Sequence, residues 1–220
     1  GVMFPGAQVL VARHGKVIYE KAFGFHTYTK KQKVALTDVY DLASMTKILA
    51  TLPLLMELKD EGTLHLNDKL GNIIPELKNT NKTNITVKEV LSHYGRLKAW
   101  IPFYIHTLDS ATGQISEKYY RKAPSDDFDI KVADEVYLRS DYQDSIVKII
   151  ADSDLRPHKG YKYSDLSYYL FKKYLEDYYG KNLDELSQAH FYSKIGADHT
   201  GYLPLTKFAK DDIVPTENDT

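Results

Sequence analysis

The chain has 220 residues, of which 43% are apolar and 27% are charged. This composition supports a sizeable folded core and excludes an intrinsically disordered chain. The 29 basic and 30 acidic residues nearly balance, so a nucleic-acid partner has no support, and the absence of cysteine excludes disulfides and thiolate metal sites.

The first predicted elements are a β-hairpin and a long helix. An apolar stretch at residues 7–12 and an alternating stretch at 16–23 flank a glycine-containing turn, which predicts two antiparallel strands. The composition of residues 44 to about 60 predicts a helix with apolar side chains on most of its faces. Pro53 is expected to bend this helix, because proline has no backbone N–H.

The remaining predicted elements are mainly helical. A capping box predicts a short helix that begins at Thr86. Residues 100–160 are polar and rich in tyrosine, which predicts an irregular insertion with one helix near 144–152. Apolar residues at four-residue spacing predict a helix over 164–179, and a last helix is predicted from 182 or 183 to about 192.

Ser44 and Lys47 are three residues apart at the start of the predicted long helix. Side chains at positions i and i+3 share one face of a helix, with Cβ atoms about 5–6 Å apart, so these two can touch. A serine hydroxyl becomes a nucleophile when a base takes its proton, and a lysine is such a base if burial and positive potential lower its pKa. The pair is therefore a candidate for nucleophilic catalysis.

The Ser-x-x-Lys pattern alone does not identify a site, because it recurs at Ser145 and Lys148 in the polar insertion. There the simplest interpretation is the solvated face of an amphipathic helix. Tyr163 is a second candidate residue, since a phenol on a turn before a helix can relay a proton beside an ammonium. Asp165 follows it by two residues, and Tyr142 lies in a similar context. With 18 tyrosines in the chain, simple packing is the alternative interpretation.

Five segments, taken in order, carry a resemblance to a known superfamily. They are residues 5–7 with the hairpin, 40–47 (YDLASMTK), 61–68 (EGTLHLND) with 74–77 (IPEL), 86–93 (TVKEVLSH) with Gly95 and Leu97, and 163–166 (YSDL). Together they resemble the serine beta-lactamases and penicillin-binding proteins. Within that superfamily they resemble the branch of class C beta-lactamases, D-alanyl-D-alanine carboxypeptidases and related esterases.

The resemblance implies an α+β fold of the beta-lactamase/transpeptidase type, in which an antiparallel sheet accompanies a helical subdomain in one domain over residues 1–220. It implies Ser44 as the nucleophile, Lys47 as the base or proton carrier, Tyr163 as a second proton carrier and Asp165 as a substrate contact. The implied reaction is hydrolysis of an amide or ester through an acyl-enzyme, with no metal or organic cofactor. Peptidase, beta-lactamase and esterase activities all stay open, and peptidase or esterase is favoured. The alternative is a non-catalytic binding or accessory domain that keeps the fold.

The chain departs from the family pattern near the candidate site. Asp165 stands where asparagine is usual, and an ion pair with Lys47 would raise the lysine pKa and oppose its role as a base. Tyr94 and Arg96 flank Gly95 where the family has serine-glycine, which predicts a different loop shape. His93 is expected to cap or pack the start of a helix rather than to take part in chemistry.

The family's Lys-Thr-Gly or His-x-Gly motif does not follow Tyr163. We therefore expect a C-terminal truncation that omits later strands, poor turnover by this chain, and a homodimer that covers the open sheet. The other expected partner is a small-molecule or peptide substrate, without nucleic acid and without a membrane span. The resemblance implies a periplasmic or extracellular location, although the chain opens with no signal peptide.

Overall fold

The computed structural model describes residues 3–216. The chain divides into two compact units, one with the residues up to Ala43 and from Tyr202 onward, and the other with Ser44–Gly201. Each unit is described here by its own elements. The expectation of a single domain stays a prediction.

The predicted β-hairpin is confirmed in the first unit. Strands β1 (Gly6–Arg13) and β2 (Lys16–Gly24) pair in antiparallel orientation. The turn residues His14 and Gly15 both have positive φ, at 49° and 73°. This conformation matches the twist of hairpin strands, and glycine adopts it without strain. Two short 3-10 turns, Pro204–Thr206 and Lys210–Asp212, belong to the same unit.

The second unit, Ser44–Gly201, is mainly helical. Its helices are a π-helical turn (Lys47–Thr51), α1 (Leu52–Asp60), α2 (Leu70–Ile73), α3 (Val87–Leu91), α4 (Tyr142–Asp152), α5 (Leu166–Tyr179), α6 (Leu183–Ser187), a second π-helical turn (Gln188–Tyr192) and α7 (Ser193–Ile195), with 3-10 turns at Pro75–Leu77 and Phe103–Thr107. In residues 3–216, no helix is both long enough and apolar enough to cross a membrane.

Three short strands lie in the predicted irregular insertion and were not predicted from the sequence. They are β3 (Tyr120–Arg121), β4 (Ile130–Ala133) and β5 (Val136–Leu138), which form an antiparallel sheet in the order β3-β5-β4. Strands of two to four residues are too short to show an alternating pattern. The predicted combination of helices with antiparallel strands is confirmed.

The helix that follows Ser44 begins with a π-helical turn rather than as one bent α-helix. Pro53 lies in the first turn of α1, where the absence of a backbone N–H has little cost. In a continuous α-helix the carbonyl of Leu49 would bond to the missing N–H of Pro53. That carbonyl instead accepts a hydrogen bond from the Tyr192 hydroxyl at 2.9 Å. Packing by Tyr192 therefore stabilises the unusual helix start.

Helix α5 ends where the sequence predicts and begins two residues after the predicted start, at Leu166. It ends at Gly180, which has a left-handed φ of 64°. Asp165 occupies the N-cap position, but its side chain accepts no hydrogen bond from the first turn of the helix. The carboxylate is therefore available for another partner. The capping box at Thr86 is also confirmed, because Thr86 Oγ1 accepts from the Glu89 N–H and Glu89 accepts from the Thr86 N–H.

The hydrophobic core of the second unit joins α1 to α6. Its fully buried side chains include Leu54 and Leu58 of α1 and Leu170 and Phe171 of α5. Burial of one such side chain contributes about 1.5–3 kcal/mol to stability. This core therefore packs α5 against α1, the continuation of the helix after Ser44.

Lys82 is the largest fully buried side chain of the described residues. Its ammonium donates to Asn81 Oδ1 at 2.7 Å and to the carbonyls of Ala151 and Ser153, at 3.1 and 2.5 Å. The two carbonyls lie at the C-terminal end of α4, where a positive charge is favourable. Burial lowers the pKa of Lys82 to about 8.

We expect Lys82→Met to lower the free energy of unfolding by about 1–3 kcal/mol at pH 7, because it leaves buried acceptors without a donor. The exposed Lys78 supplies the control, and Lys78→Met should change stability by less than about 0.5 kcal/mol. Urea unfolding of both variants measures the difference. Equal stabilities of the two variants would contradict the assigned role.

The stability lost in Lys82→Met is also expected to depend on pH. Unfolding returns the pKa of Lys82 from about 8 to about 10.4, so between these values the unfolded chain binds more protons than the native state. The native state with Lys82 therefore gains stability as the pH rises from 8 to 10. Over this range the stability difference from Lys82→Met should widen, and a narrowing difference would show that the ammonium form is the stabilising one.

Candidate active site

Ser44 lies immediately before the helical residues 45 and 46, which lead into the π-helical turn. Its carbonyl accepts the Lys47 N–H at 3.2 Å, as in a first helical turn. Ala43, the preceding residue, has a φ of 43°, which is a strained left-handed conformation for a residue with a side chain. Such strain clusters at functional sites. The predicted position of Ser44 at a helix start therefore agrees with the structure.

The Lys47 ammonium brings the four candidate residues together. Its Nζ donates to Ser44 Oγ at 2.8 Å and lies 2.7 Å from Asp165 Oδ1. The centre of the Tyr163 ring lies 5.2 Å from the same Nζ. Ser44, Tyr163 and Asp165 come from two helix starts that are distant in sequence, and all three contact the same charge.

The contact between Lys47 and Asp165 is an ion pair more than a directed hydrogen bond. Asp165 Oδ1 is shielded from solvent. Its 2.7 Å contact with Lys47 Nζ is short enough for a hydrogen bond but does not have the direction of one. Attraction between opposite charges therefore holds this pair. Only 15% of the Lys47 side chain is exposed, so water screens the attraction less than it would at the surface.

This environment keeps Lys47 protonated. Burial lowers the pKa of Lys47, but the Asp165 carboxylate and the Tyr163 hydroxyl raise it, and the resulting pKa is above the ordinary value. Lys47 is therefore in its charged form at pH 7. The side chain is consequently a hydrogen-bond donor to Ser44 Oγ in the free protein. It becomes a base only after its contact with Asp165 weakens.

Two residues near the candidate site were not assigned to it from the sequence. The His93 ring lies 4.6 Å from the ring of Tyr163, measured between centroids. The ring centre of Tyr168 lies 5.9 Å from Lys47 Nζ. The signal available for His93 was its place in one of the five resembling segments, whereas Tyr168 gave none because it is one of many tyrosines in the chain.

The second Ser-x-x-Lys pattern lies in the middle of α4 rather than at a helix start. Lys148 forms an exposed ion pair with Asp152 at 3.6 Å. Tyr142 is buried, and its hydroxyl donates to the Phe103 carbonyl at 2.7 Å. These contacts fit structural roles. Within residues 3–216, no group of three or more His, Cys, Asp or Glu side chains is arranged to hold a metal ion.

Comparison with known proteins gives consistent matches over most of the chain. The model of the family described as Beta-lactamase matches residues 2–215. The N-acetylmuramyl-L-alanine amidase of Bacillus subtilis (strain 168) is 29% identical, and the match covers 93% of this chain and 44% of that protein. A putative D-alanyl-D-alanine carboxypeptidase of Escherichia coli (strain K12) is 28% identical, with 98% and 48% covered.

Among solved structures, EstCE1, a hydrolase with promiscuous acyltransferase activity, aligns with a TM-score of 0.66 at 21% identity. The alignment covers 99% of this chain and 53% of that one. A likeness at this identity shows the fold, and it confirms the predicted beta-lactamase-type architecture. The chain spans about half the length of the curated relatives it matches.

We expect Asp165→Asn to lower the pKa of Lys47, because the change removes a negative charge and keeps the side-chain shape. The measurement is an NMR titration of ¹³Cε-labelled lysine in the whole protein. Asp177→Asn is the matched control, since Asp177 pairs with Lys173 and raises its pKa against the effect of burial. The control should lower the pKa of Lys173 and leave Lys47 unchanged. An unaltered Lys47 titration in Asp165→Asn would contradict the electrostatic role of Asp165.

Proposed function

Since this chain belongs to the beta-lactamase family, we propose that the whole protein is a serine hydrolase that cleaves an amide or ester bond through an acyl-enzyme. The observation that carries the proposal is the position of the Lys47 ammonium. It lies 2.8 Å from Ser44 Oγ, 2.7 Å from Asp165 Oδ1 and 5.2 Å from the centre of the Tyr163 ring. Acyl transfer needs a nucleophile beside groups that accept and return a proton. These side chains supply them.

In the proposed reaction, Ser44 Oγ attacks the carbonyl carbon of the substrate while its proton passes to neutral Lys47. Tyr163 then donates a proton to the leaving nitrogen or oxygen, the bond to the carbonyl carbon breaks, and the acyl group stays on Ser44. Tyr163 regains its proton from Lys47. In the deacylation step, a water molecule gives its proton to Lys47 or Tyr163 and attacks the ester formed on Ser44. The acid leaves, and Ser44 recovers its hydroxyl.

This sequence of steps requires Lys47 to lose the proton that it holds in the free protein. A substrate group that donates a hydrogen bond to the Asp165 carboxylate would compete with Lys47 for its negative charge. The pKa of Lys47 would then fall toward the operating pH, and the lysine would become a base after the substrate binds. Asp165 is thus proposed as a substrate contact that also controls the state of the base.

A carboxylate at position 165 accepts hydrogen bonds but cannot donate one as asparagine does. This favours substrates that present an N–H group or a cation there, and we propose a peptidase- or esterase-like activity rather than a beta-lactamase. The relatives named as an amidase and as a putative carboxypeptidase support this substrate class. Their names refer to N-acetylmuramyl-L-alanine and D-alanyl-D-alanine, and we propose a periplasmic or extracellular location for this protein.

A second candidate function is a binding or accessory domain that keeps the fold without turnover. The observation that favours it is the raised pKa of Lys47, because a protonated lysine cannot accept the proton of Ser44. Such a domain would bind the same class of amide or ester and leave it intact. Covalent labelling of Ser44 separates the two functions.

The β-hairpin supports the proposal of a homodimer. Its strands expose several large apolar side chains, with 58% of Leu10 and 64% of Ile18 accessible to solvent. In the described residues β1 and β2 form a two-stranded sheet, so each strand has an open edge. Open edges with apolar side chains favour association between chains.

We expect a fluorophosphonate or a penicillin to label Ser44 of the whole protein, because among the described serines this one accepts a hydrogen bond from the Lys47 ammonium. Ser44→Ala should abolish the adduct and lower kcat by at least about 10³-fold. Ser145→Ala, in the second Ser-x-x-Lys pattern, is the matched control and should label like the unaltered protein. Intact-mass measurement and peptide mapping identify the site. Binding of a D-alanyl peptide without any adduct would favour the accessory domain.

We expect the 220-residue chain to sediment as a dimer at micromolar concentration and the double variant Leu10→Glu, Ile18→Glu to sediment as a monomer. The two charges would oppose burial of the apolar hairpin surface in an interface. Lys16→Gln, in the same hairpin, is the control and should leave the dimer intact. A monomer at all concentrations, without any substitution, would exclude this homodimer.

A further inference from the structure

The turn that carries Tyr163 and Asp165 is attached to the segment 93–99 by hydrogen bonds. The Asp165 N–H donates to the Ala99 carbonyl at 2.8 Å. The buried hydroxyl of Ser164 donates to the carbonyl of Lys98 at 2.6 Å. These bonds use backbone carbonyls of the segment, so they depend little on its side chains.

His93 is the residue of that segment whose side chain also holds the turn. Its carbonyl accepts the Lys162 N–H at 2.9 Å, and its ring Nδ1 accepts the Ser164 N–H at 3.2 Å. One histidine therefore binds the residues on both sides of Tyr163. Its ring also packs on the Tyr163 ring, with centroids 4.6 Å apart and planes inclined by 45°.

These contacts require one form of the imidazole. Nδ1 accepts a hydrogen bond, so it carries no proton, and the neutral ring has its proton on Nε2. Burial and the nearby Lys47 ammonium lower the pKa of His93, while Asp165 opposes this shift. The titratable or charged groups that face the ring are Lys47, Asp165, Tyr161 and Tyr163. The neutral form is consequently the form present at neutral pH.

The backbone conformation of His93 points to the same role. Its φ of 61° is left-handed, a region that histidine, asparagine and glycine tolerate better than most residues. A helix-ending residue without function would commonly be glycine or asparagine at such a position. The histidine instead supplies a ring acceptor, and asparagine and glycine become suitable variants because both adopt the same backbone.

We propose that His93 is a positioning residue that holds the Tyr163 phenol beside Lys47, and that it does so only in its neutral Nε2–H form. The inference rests on the proposed function, in which Tyr163 moves a proton at the leaving group. Protonation of His93 puts a hydrogen on Nδ1, breaks the bond from Ser164 and adds a positive charge near Lys47. The turn then loses its side-chain support on the acid side of the pH profile.

The test compares His93→Asn with His93→Gly in the whole protein, with an alkyl acetate as the substrate, because its alkoxide leaving group needs a proton. Asparagine keeps an oxygen acceptor near the position of Nδ1 and does not titrate, whereas glycine keeps only the backbone. His93→Gly should lower kcat by about 10–100-fold with KM changed less than about threefold, because a misplaced proton carrier affects chemistry more than binding. His93→Asn should retain kcat within about threefold and lose the acid limb that His93 causes.

His14→Gly is the matched control, since His14 is an exposed histidine with a left-handed φ of 49° in the hairpin turn. It should leave kcat, KM and the pH profile unchanged. Amide hydrogen exchange of Ser164 gives a readout that needs no activity. Exchange should accelerate at least about tenfold in His93→Gly and stay near that of the unaltered protein in His93→Asn.

The outcomes separate the two proposals. If the unaltered protein neither hydrolyses the ester nor accepts a label at Ser44, the proposed function fails, and the exchange of Ser164 still tests whether His93 holds the turn. If the unaltered protein is active and His93→Gly retains its kcat, the positioning role is wrong. Equal loss of kcat in His93→Asn and His93→Gly would also overturn it, because the acceptor would then not be the feature that matters.

Discussion

The attraction between Lys47 and Asp165 is the interaction on which the candidate site depends. It connects the first turn after Ser44 to the start of α5, and the two oppositely charged atoms lie 2.7 Å apart. Asp165 Oδ1 is shielded from water while 38% of the side chain is accessible, and the Lys47 ammonium is the counter-charge of the shielded oxygen. The ion pair therefore stabilises the relative position of the two helix starts. Tyr163 precedes Asp165 by two residues, so the ion pair also places Tyr163 near the Lys47 ammonium.

Lys47 is the first residue of an irregular helical segment. A π-helical turn over Lys47–Thr51 precedes α1, and Pro53 lies in the first turn of α1. π-Helical turns are rare and are frequent at functional sites. The Tyr192 hydroxyl bonds to the carbonyl that proline leaves free, so the irregularity is stabilised by packing from another helical segment. The core between α1 and α5 keeps both ends of the Lys47–Asp165 contact in place.

The charges of the site depend on one another. The Asp165 carboxylate helps to keep Lys47 charged, and the Lys47 charge helps to keep His93 neutral. A neutral His93 is the form that accepts the Ser164 N–H and supports the turn of Tyr163. The family pattern that the chain otherwise resembles has asparagine at position 165. An asparagine there would remove the negative charge that helps to keep Lys47 protonated. In the free protein these charges stabilise the arrangement of the site, and they keep Lys47 in the protonated form that cannot act as a base.

The sequence by itself determined the features that depend on near neighbours. The contact of Ser44 with Lys47 follows from helical i, i+3 spacing, and the hairpin turn and the capping box at Thr86 follow from residues within four positions. Tertiary structure alone decided that Asp165 meets Lys47, that the ring of His93 holds the turn of Tyr163, and that β3, β4 and β5 form a sheet. These contacts join segments distant in the chain, and the charge state of each group depends on the neighbours and the burial that packing brings, which no local pattern records.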